Sequence, residues 1–326
     1  MNVFRYCHGI AAALLLALPA APATRAQADD YPGRTVTIIS DAPPGSTPDV
    51  DARFIADGLG KMWGRQIVVI EHAGAYGSIA ARAAADAAPD GYTLYMPSLA
   101  SFVAPAKVAA NVPLRLPRDF LPIGFTAENP MFVAVNPALG INTLPELIAL
   151  SKKEPSAISI AVTGVGRLTD LTGRLLEQRE NVNFVRVPYN SGPAAAIADV
   201  AGGRVSMIIE GYSGIVGAVN GHQIKLIAVA SLKRLPEFPD VPTVAETIPD
   251  FSATGWQVLL APLRTPAPIV SKASADLSKL VNDPAFQKRL ATVGSYSRAM
   301  TPEQVLAFVQ KQQDTWLPVL ESIKSN

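Results

Sequence analysis

Residues 35–62 read TVTIISDAPPGSTPDVDARFIADGLGKM. The run from Thr35 to Ser40 is β-branched and apolar, the composition of a strand. It passes directly into two prolines, a glycine and hydroxyl residues, after which Thr47 is expected to cap a helix that has Pro48 in its first position. Val50, Phe54, Ile55, Leu59 and Met62 would supply that helix's buried stripe. A strand that delivers straight into an amphipathic helix is half of a βαβ unit, so this stretch points to an α/β fold.

The same alternation continues along the chain. Ile67–Glu71, Thr93–Met96 and Leu121–Phe125 complete a first set of expected strands. Met131–Val135, Ile158–Val162, Asn183–Val187, Ser206–Ile209 and Lys225–Val229 form a second. Glu128-Asn129-Pro130 connects the sets, and a second break at Ser252 to Gly255 precedes the apolar run Trp256–Leu260. Two crossings imply two lobes around a cleft, with Pro130 and Gly255 as hinge candidates. Helices are expected over Ile269–Asn282 and Pro302–Lys324, the latter capped by Thr301.

The loop between strand and helix in the opening stretch has a chemical reading. Unpaired N–H groups of a first helical turn, with the positive end of the helix dipole, can receive a carboxylate or phosphate without a basic side chain. Gly45 would let such a group approach the backbone. An ordinary βα connection with a Pro/Gly turn has the same composition. A second copy strengthens the binding reading: ISIAVTGVGRLTDLTGRLL (158–176) again runs strand, glycine loop, helix, with Leu168, Leu171, Leu175 and Leu176 on one face. Parallel α/β sheets bind ligands beyond the carboxyl ends of their strands, so two such loops in two lobes can converge on one cleft. As a dinucleotide fingerprint Gly164-Val165-Gly166 fails, because no third glycine falls at the required spacing; no cofactor is expected.

Composition excludes several functions. Arg5, the apolar run Ala11–Leu18 and the small residues Ala26-Gln27-Ala28 have the form of an export signal over residues 1–28. Arg5 and Arg25 lie within it, so the remaining chain holds 26 basic against 27 acidic residues and shows no basic stripe for nucleic acid. The single cysteine, Cys7, also belongs to the signal, which argues against a disulfide framework and a thiol nucleophile and fits a periplasmic location. His72 and His222 stand alone, in loop contexts, without a partner at metal-ligand spacing. No base, nucleophile or metal set is visible, so no enzyme is expected.

Five words occur in order: PDGYTLY (89–95), LPRDFLPIG (116–124), VPYNSGPAA (187–195), DVPTVAE (240–246), and the Trp256 strand followed by APLRTP (261–266). On these the chain after the signal resembles the Bug-type receptors of tripartite tricarboxylate transporters. The resemblance implies a type II-like, two-lobed periplasmic binding protein, each lobe a mostly parallel sheet flanked by helices, with lobe 1 formed by residues 29–129 plus 255–326 and lobe 2 by 130–254. It implies a monomer that captures a small carboxylated solute and hands it to integral membrane transporter subunits. A sensor that presents its closed form to a membrane signalling partner would have the same cleft.

Carried over by position, the family's first binding loop falls on Asp41–Asp49 and its second on Val162–Asp170. The candidate ligand-binding residues are Asp41, Pro44, Gly45, Ser46, Thr47 and Asp49 in the first loop and Thr163, Gly164, Gly166 and Arg167 in the second. The chain departs from the family pattern at Asp41-Ala42, Ser46, Arg167, Asp170 and Tyr76. Arg167 would either clamp a carboxylate or pair with Asp170 on the helix surface. Asp41 would either meet an amino group on the ligand or accept N–H bonds in its turn. Glu210 ends a strand and so is expected to face the cleft; Ser98, Tyr189 and Ser191 follow strand ends and would either donate hydrogen bonds to the distal part of a ligand or occupy solvent-exposed loop positions, while Tyr76 would offer an aromatic wall.

Overall fold

The computed structural model describes residues 30–104, 112–189 and 192–322; the export signal expected over residues 1–28 lies outside them. Nine strands form one mixed, continuous sheet system in two parts. In the first part β1 (Val36–Ser40) lies between β2 (Ile67–Glu71) and β3 (Thr93–Met96), all parallel. β9 (Thr254–Pro262) joins β3 antiparallel and pairs in turn with β4 (Phe120–Val135). In the second part β5 (Ser159–Val162) runs parallel to β6 (Val185–Pro188) and β7 (Met207–Gly211). The far half of β4 joins this part, antiparallel to both β7 and β8 (Lys225–Val229). Each part is therefore parallel apart from one reversed strand, as the alternating pattern requires.

β4 corrects the expected strand count. Leu121–Phe125 and Met131–Val135 are one strand, not two, because Phe120 through Pro130 stay paired to β9 through two register shifts. From Met131 onward the partners become β7 and β8. Pro130 still sits at the exchange of partners, opposite Thr254, so the crossing is a change of neighbours along a continuous strand.

Helices cover both faces. α1 (Thr47–Trp63) follows β1; α2 (Ser78–Ala85) and α3 (Leu99–Val103) follow β2 and β3. α4 (Leu144–Lys153), α5 (Leu168–Glu180), α6 (Pro193–Ala201) and α7 (Tyr212–Asn220) belong to the second part. α8 (Ala267–Asn282), α9 (Pro284–Ala291) and α10 (Pro302–Ser322) return to the first. Thr301 caps α10 reciprocally: its Oγ1 accepts the Gln304 N–H, and the Gln304 side chain accepts the Thr301 N–H. The buried face of α1 is Asp51, Ala52, Ile55, Ala56 and Leu59. Val50 and Phe54 are half-buried, and Met62 is 43% exposed, so the stripe lies one position round from the expected one. An aliphatic cluster of β1, β3 and β9 with α1 and α8 closes one face of the first part. A larger one runs from Tyr95 and Phe125 through Val133 to Ile160 and Ile209, beneath both parts of the sheet. Among the described residues no helix is long and apolar enough to cross a membrane.

Candidate functional site

The two glycine loops are built alike. Gly45 and Gly166 both have φ +74°, and each precedes an extended cap residue, Ser46 (φ −75°, ψ 160°) or Arg167 (φ −78°, ψ 165°). The third helical residue is an aspartate that reaches back: Asp49 accepts the Gly45 N–H at 2.8 Å, and Asp170 accepts the Gly166 N–H at 2.9 Å. The cap of α1 is thus Ser46, not Thr47, and Pro48 is the second helical residue. Ser46 Oγ donates to Pro43 O at 2.6 Å, which takes its side chain away from a capping bond. Each aspartate occupies one anion position at its helix start, and the first-turn N–H groups of Thr47, Leu168 and Thr169 are left for another acceptor.

The loops meet across a small, partly open cavity of about 50 Å³. Of the residues expected from the sequence, Ser46, Thr47, Ser98, Thr163, Arg167 and Glu210 line it. Thr163 Oγ1 donates to Glu210 Oε2 at 2.9 Å, and the Gly211 N–H donates to Glu210 Oε1 at 3.0 Å. Burial pushes the Glu210 carboxyl up from its ordinary pKa, against the opposing pull of these two bonds and of Arg167. Thr47 Oγ1 accepts the Gly214 N–H at 3.2 Å, a bond from one part of the sheet system to the other.

The remaining candidates lie behind or beside the cavity. Asp41 is fully buried and its carboxylate accepts from Ser98 N, Ser98 Oγ and Ser101 Oγ at 2.7–3.1 Å, all protein donors. These donors come from the neighbouring loop and α3, so the bonds are not those of its own turn. Pro44 and Gly45 are exposed, while Asp49 is buried against Arg53 at 3.0 Å. Gly164 lies under the Arg167 side chain: a Cβ there would come within 2.3 Å of Arg167 Cδ. The Tyr189 hydroxyl donates to Asp199 on α6. Ser191 lies outside the described residues.

Arg167 does not pair with Asp170. Asp170 binds Arg174 and Arg186, at 3.0 and 3.1 Å, and the Arg167 guanidinium instead extends over the seam to Asp41 O at 3.2 Å and Ser98 Oγ at 3.4 Å. Tyr76, with φ +54°, places its ring against Gly166 rather than on the cavity wall. His72 follows β2 and His222 follows α7, both in loops as expected.

Sequence reasoning missed the apolar half of the wall: Pro43, Leu99, Met131, Leu168 and Trp256, with Asn129 and Gly255 at the strand crossing. The Trp256 indole N–H is bound to Gln312 Oε1 at 2.9 Å, so the ring offers the cavity carbon only. The one available signal was position: Asn129, Met131, Gly255 and Trp256 flank the two crossings, and a cleft between lobes must be floored by the segments that cross it.

A mixed α/β sheet in two parts, with paired helix-start loops closing on a cavity at the strand ends, is the architecture of a solute-binding protein. The comparisons agree: residues 51–324 match the tripartite tricarboxylate transporter family receptor, and the chain belongs to that family. The protein BugT of Bordetella pertussis is 30% identical over 98% of both chains. A Rhodopseudomonas palustris protein solved with adipate superposes with TM-score 0.83 at 25% identity, covering 90% of this chain and 98% of that one. MatC of Rhodopseudomonas palustris, solved with bound malate, gives TM-score 0.77 at 29% identity over 89% and 99%.

Proposed function

We propose that this protein is an exported solute receptor that closes its two lobes on a small carboxylate and presents it to membrane transporter subunits, without transforming it. The observation that carries the reading is the convergence of two like-built helix-start loops, one from each lobe, with the Arg167 guanidinium on one small cavity. Bound adipate and malate in the related structures support a carboxylate as ligand. Lobe 1 comprises residues 29–129 with 255–326 and lobe 2 residues 130–254, hinged near Pro130 and Gly255, where β4 exchanges partners. Residues 1–28 direct export to the periplasm and are removed. Ser46, Thr47, Ser98, Thr163, Arg167 and Glu210 contact the ligand; Asp41, Asp49 and Gly164 shape the loops that hold them.

The test is thermal unfolding of the protein in the presence of mono-, di- and tricarboxylates. Ligand at about 100 times its Kd adds roughly 2.7 kcal/mol of stability, so a rise in Tm with at least one acid is expected. A folded protein whose Tm no carboxylate moves would overturn the reading.

A further inference from the structure

The cavity contains one basic and one acidic side chain, Arg167 and Glu210, and the rest of its wall is neutral. The acids nearby have other partners. Asp49 is held by Arg53 and the Gly45 N–H, and Asp170 by two arginines. Asp41 is held by Ser98 and by Ser101 of α3. Asp51 accepts from Asn129, itself held to Ser295. Arg167 forms no ion pair among the described residues: two of its N–H groups make long bonds to Asp41 O and Ser98 Oγ, at 3.2 and 3.4 Å. A guanidinium has five N–H donors, so a fork remains for a carboxylate.

From this charge inventory we propose that Arg167 and Glu210 make the cleft selective for a small acid carrying a single negative charge on an apolar body. The proposal rests on the receptor reading and narrows it. One carboxylate answers Arg167. A second one in so small a cavity would lie within a few ångströms of Glu210, fully buried and already provided with two donors. At about 6 Å and an effective dielectric near 20, two like charges cost roughly a hundredfold in affinity once Glu210 is ionised, so the discrimination should grow as pH rises. The carbon surfaces of Leu99, Met131, Leu168 and Trp256 suit an apolar remainder.

Proton linkage follows from the same pair. Thr163 beside β5 and Gly211 at the end of β7 donate to Glu210, and Arg167 is the charge that faces it. A bound carboxylate neutralises Arg167 and so favours the protonated Glu210. Affinity should therefore fall as pH rises through the Glu210 pKa, by up to about tenfold per pH unit.

The experiment is calorimetric titration with butyrate and with succinate, equal in carbon number, at several pH values between 5 and 8. The wild type should bind butyrate at least about tenfold more tightly than succinate. Arg167→Gln should lose at least tenfold in butyrate affinity, with Arg167→Lys recovering part of it. Glu210→Gln should narrow the butyrate-to-succinate ratio and flatten the pH slope. Equal wild-type affinity for the two acids, or a ratio and slope unmoved by a folded Glu210→Gln, would overturn the proposal. The wild-type ratio decides even where a variant fails to fold. Tight binding of adipate or malate without butyrate sinks this inference alone, whereas silence from every carboxylate sinks the receptor reading with it.

Discussion

Asp51 lies on the sheet-facing side of α1 with one carboxyl oxygen accepting from Asn129 and the other, Oδ1, without a donor. Burial raises its pKa from 3.8 to about 7, outweighing the bonds from Ser295 and Asn129 that pull the other way. The folded form therefore keeps a proton that the unfolded chain releases above about pH 4. Stability should decline as pH rises from about 4 to about 7 and then level, a loss on the order of 4 kcal/mol from this one group. Asp51→Asn carries no charge to bury. Denaturant titrations at pH 5 and pH 8 should show a smaller difference for the variant than for the wild type, with the variant about 2–4 kcal/mol more stable at pH 8. Equal pH dependence in both would mean that Asp51 is ionised in the folded protein.

At the scale of elements, the repeated loop is a device in which an aspartate one turn into the helix fastens the left-handed glycine before it. Asp170 does more than Asp49, since it also gathers Arg174 from its own helix and Arg186 from β6. Those bonds fix the start of α5, and with it the direction in which Arg167 leaves the backbone. Asp170→Ala leaves both arginines short of a partner, although each is about a quarter exposed and Arg186 retains Glu177. The expected cost is about 2 kcal/mol in urea unfolding, together with weaker carboxylate binding through Arg167. Unchanged stability with weakened binding would place Asp170 in ligand recognition instead of loop architecture.

At the scale of the whole molecule, the two parts of the sheet system touch along a seam: Thr47 with Gly214, Arg167 with Asp41 and Ser98, and Tyr76 against Gly166. Gly211 belongs to the same seam, because a Cβ at that position would meet Thr47 Cβ at 2.7 Å and Cγ2 at 2.8 Å. Its φ of −66° is open to any residue, so Gly211→Ala tests the seam without straining the backbone. The variant should favour the open form, seen as a larger radius of gyration by solution scattering with ligand present. A seam contact worth about 1 kcal/mol predicts a Kd raised by roughly fivefold. A wild-type affinity and radius would show that the seam adjusts freely.

The α/β class, the strand positions and both glycine loops were legible in the sequence, because they rest on local chemistry: β-branched runs, proline and glycine at turns, apolar residues at helical spacing. The union of two expected strands into β4 was not legible, since Pro130 looks like a boundary until β9 lies beside it. The site divided in the same way. Ser46, Thr47, Thr163, Arg167 and Glu210 could be named because strand-end loops carry them, but which partner each would choose depended on groups far away in the chain. Arg167 had Asp170 three residues off and bridged to Asp41 instead, because Arg174 and Arg186 had taken that carboxylate. The sequence by itself determined the elements and the loops, whose free energies are set within a few residues. Only the tertiary structure decided the pairings and the carbon wall of the cavity, because both depend on which distant side chains are brought within contact and shut away from water.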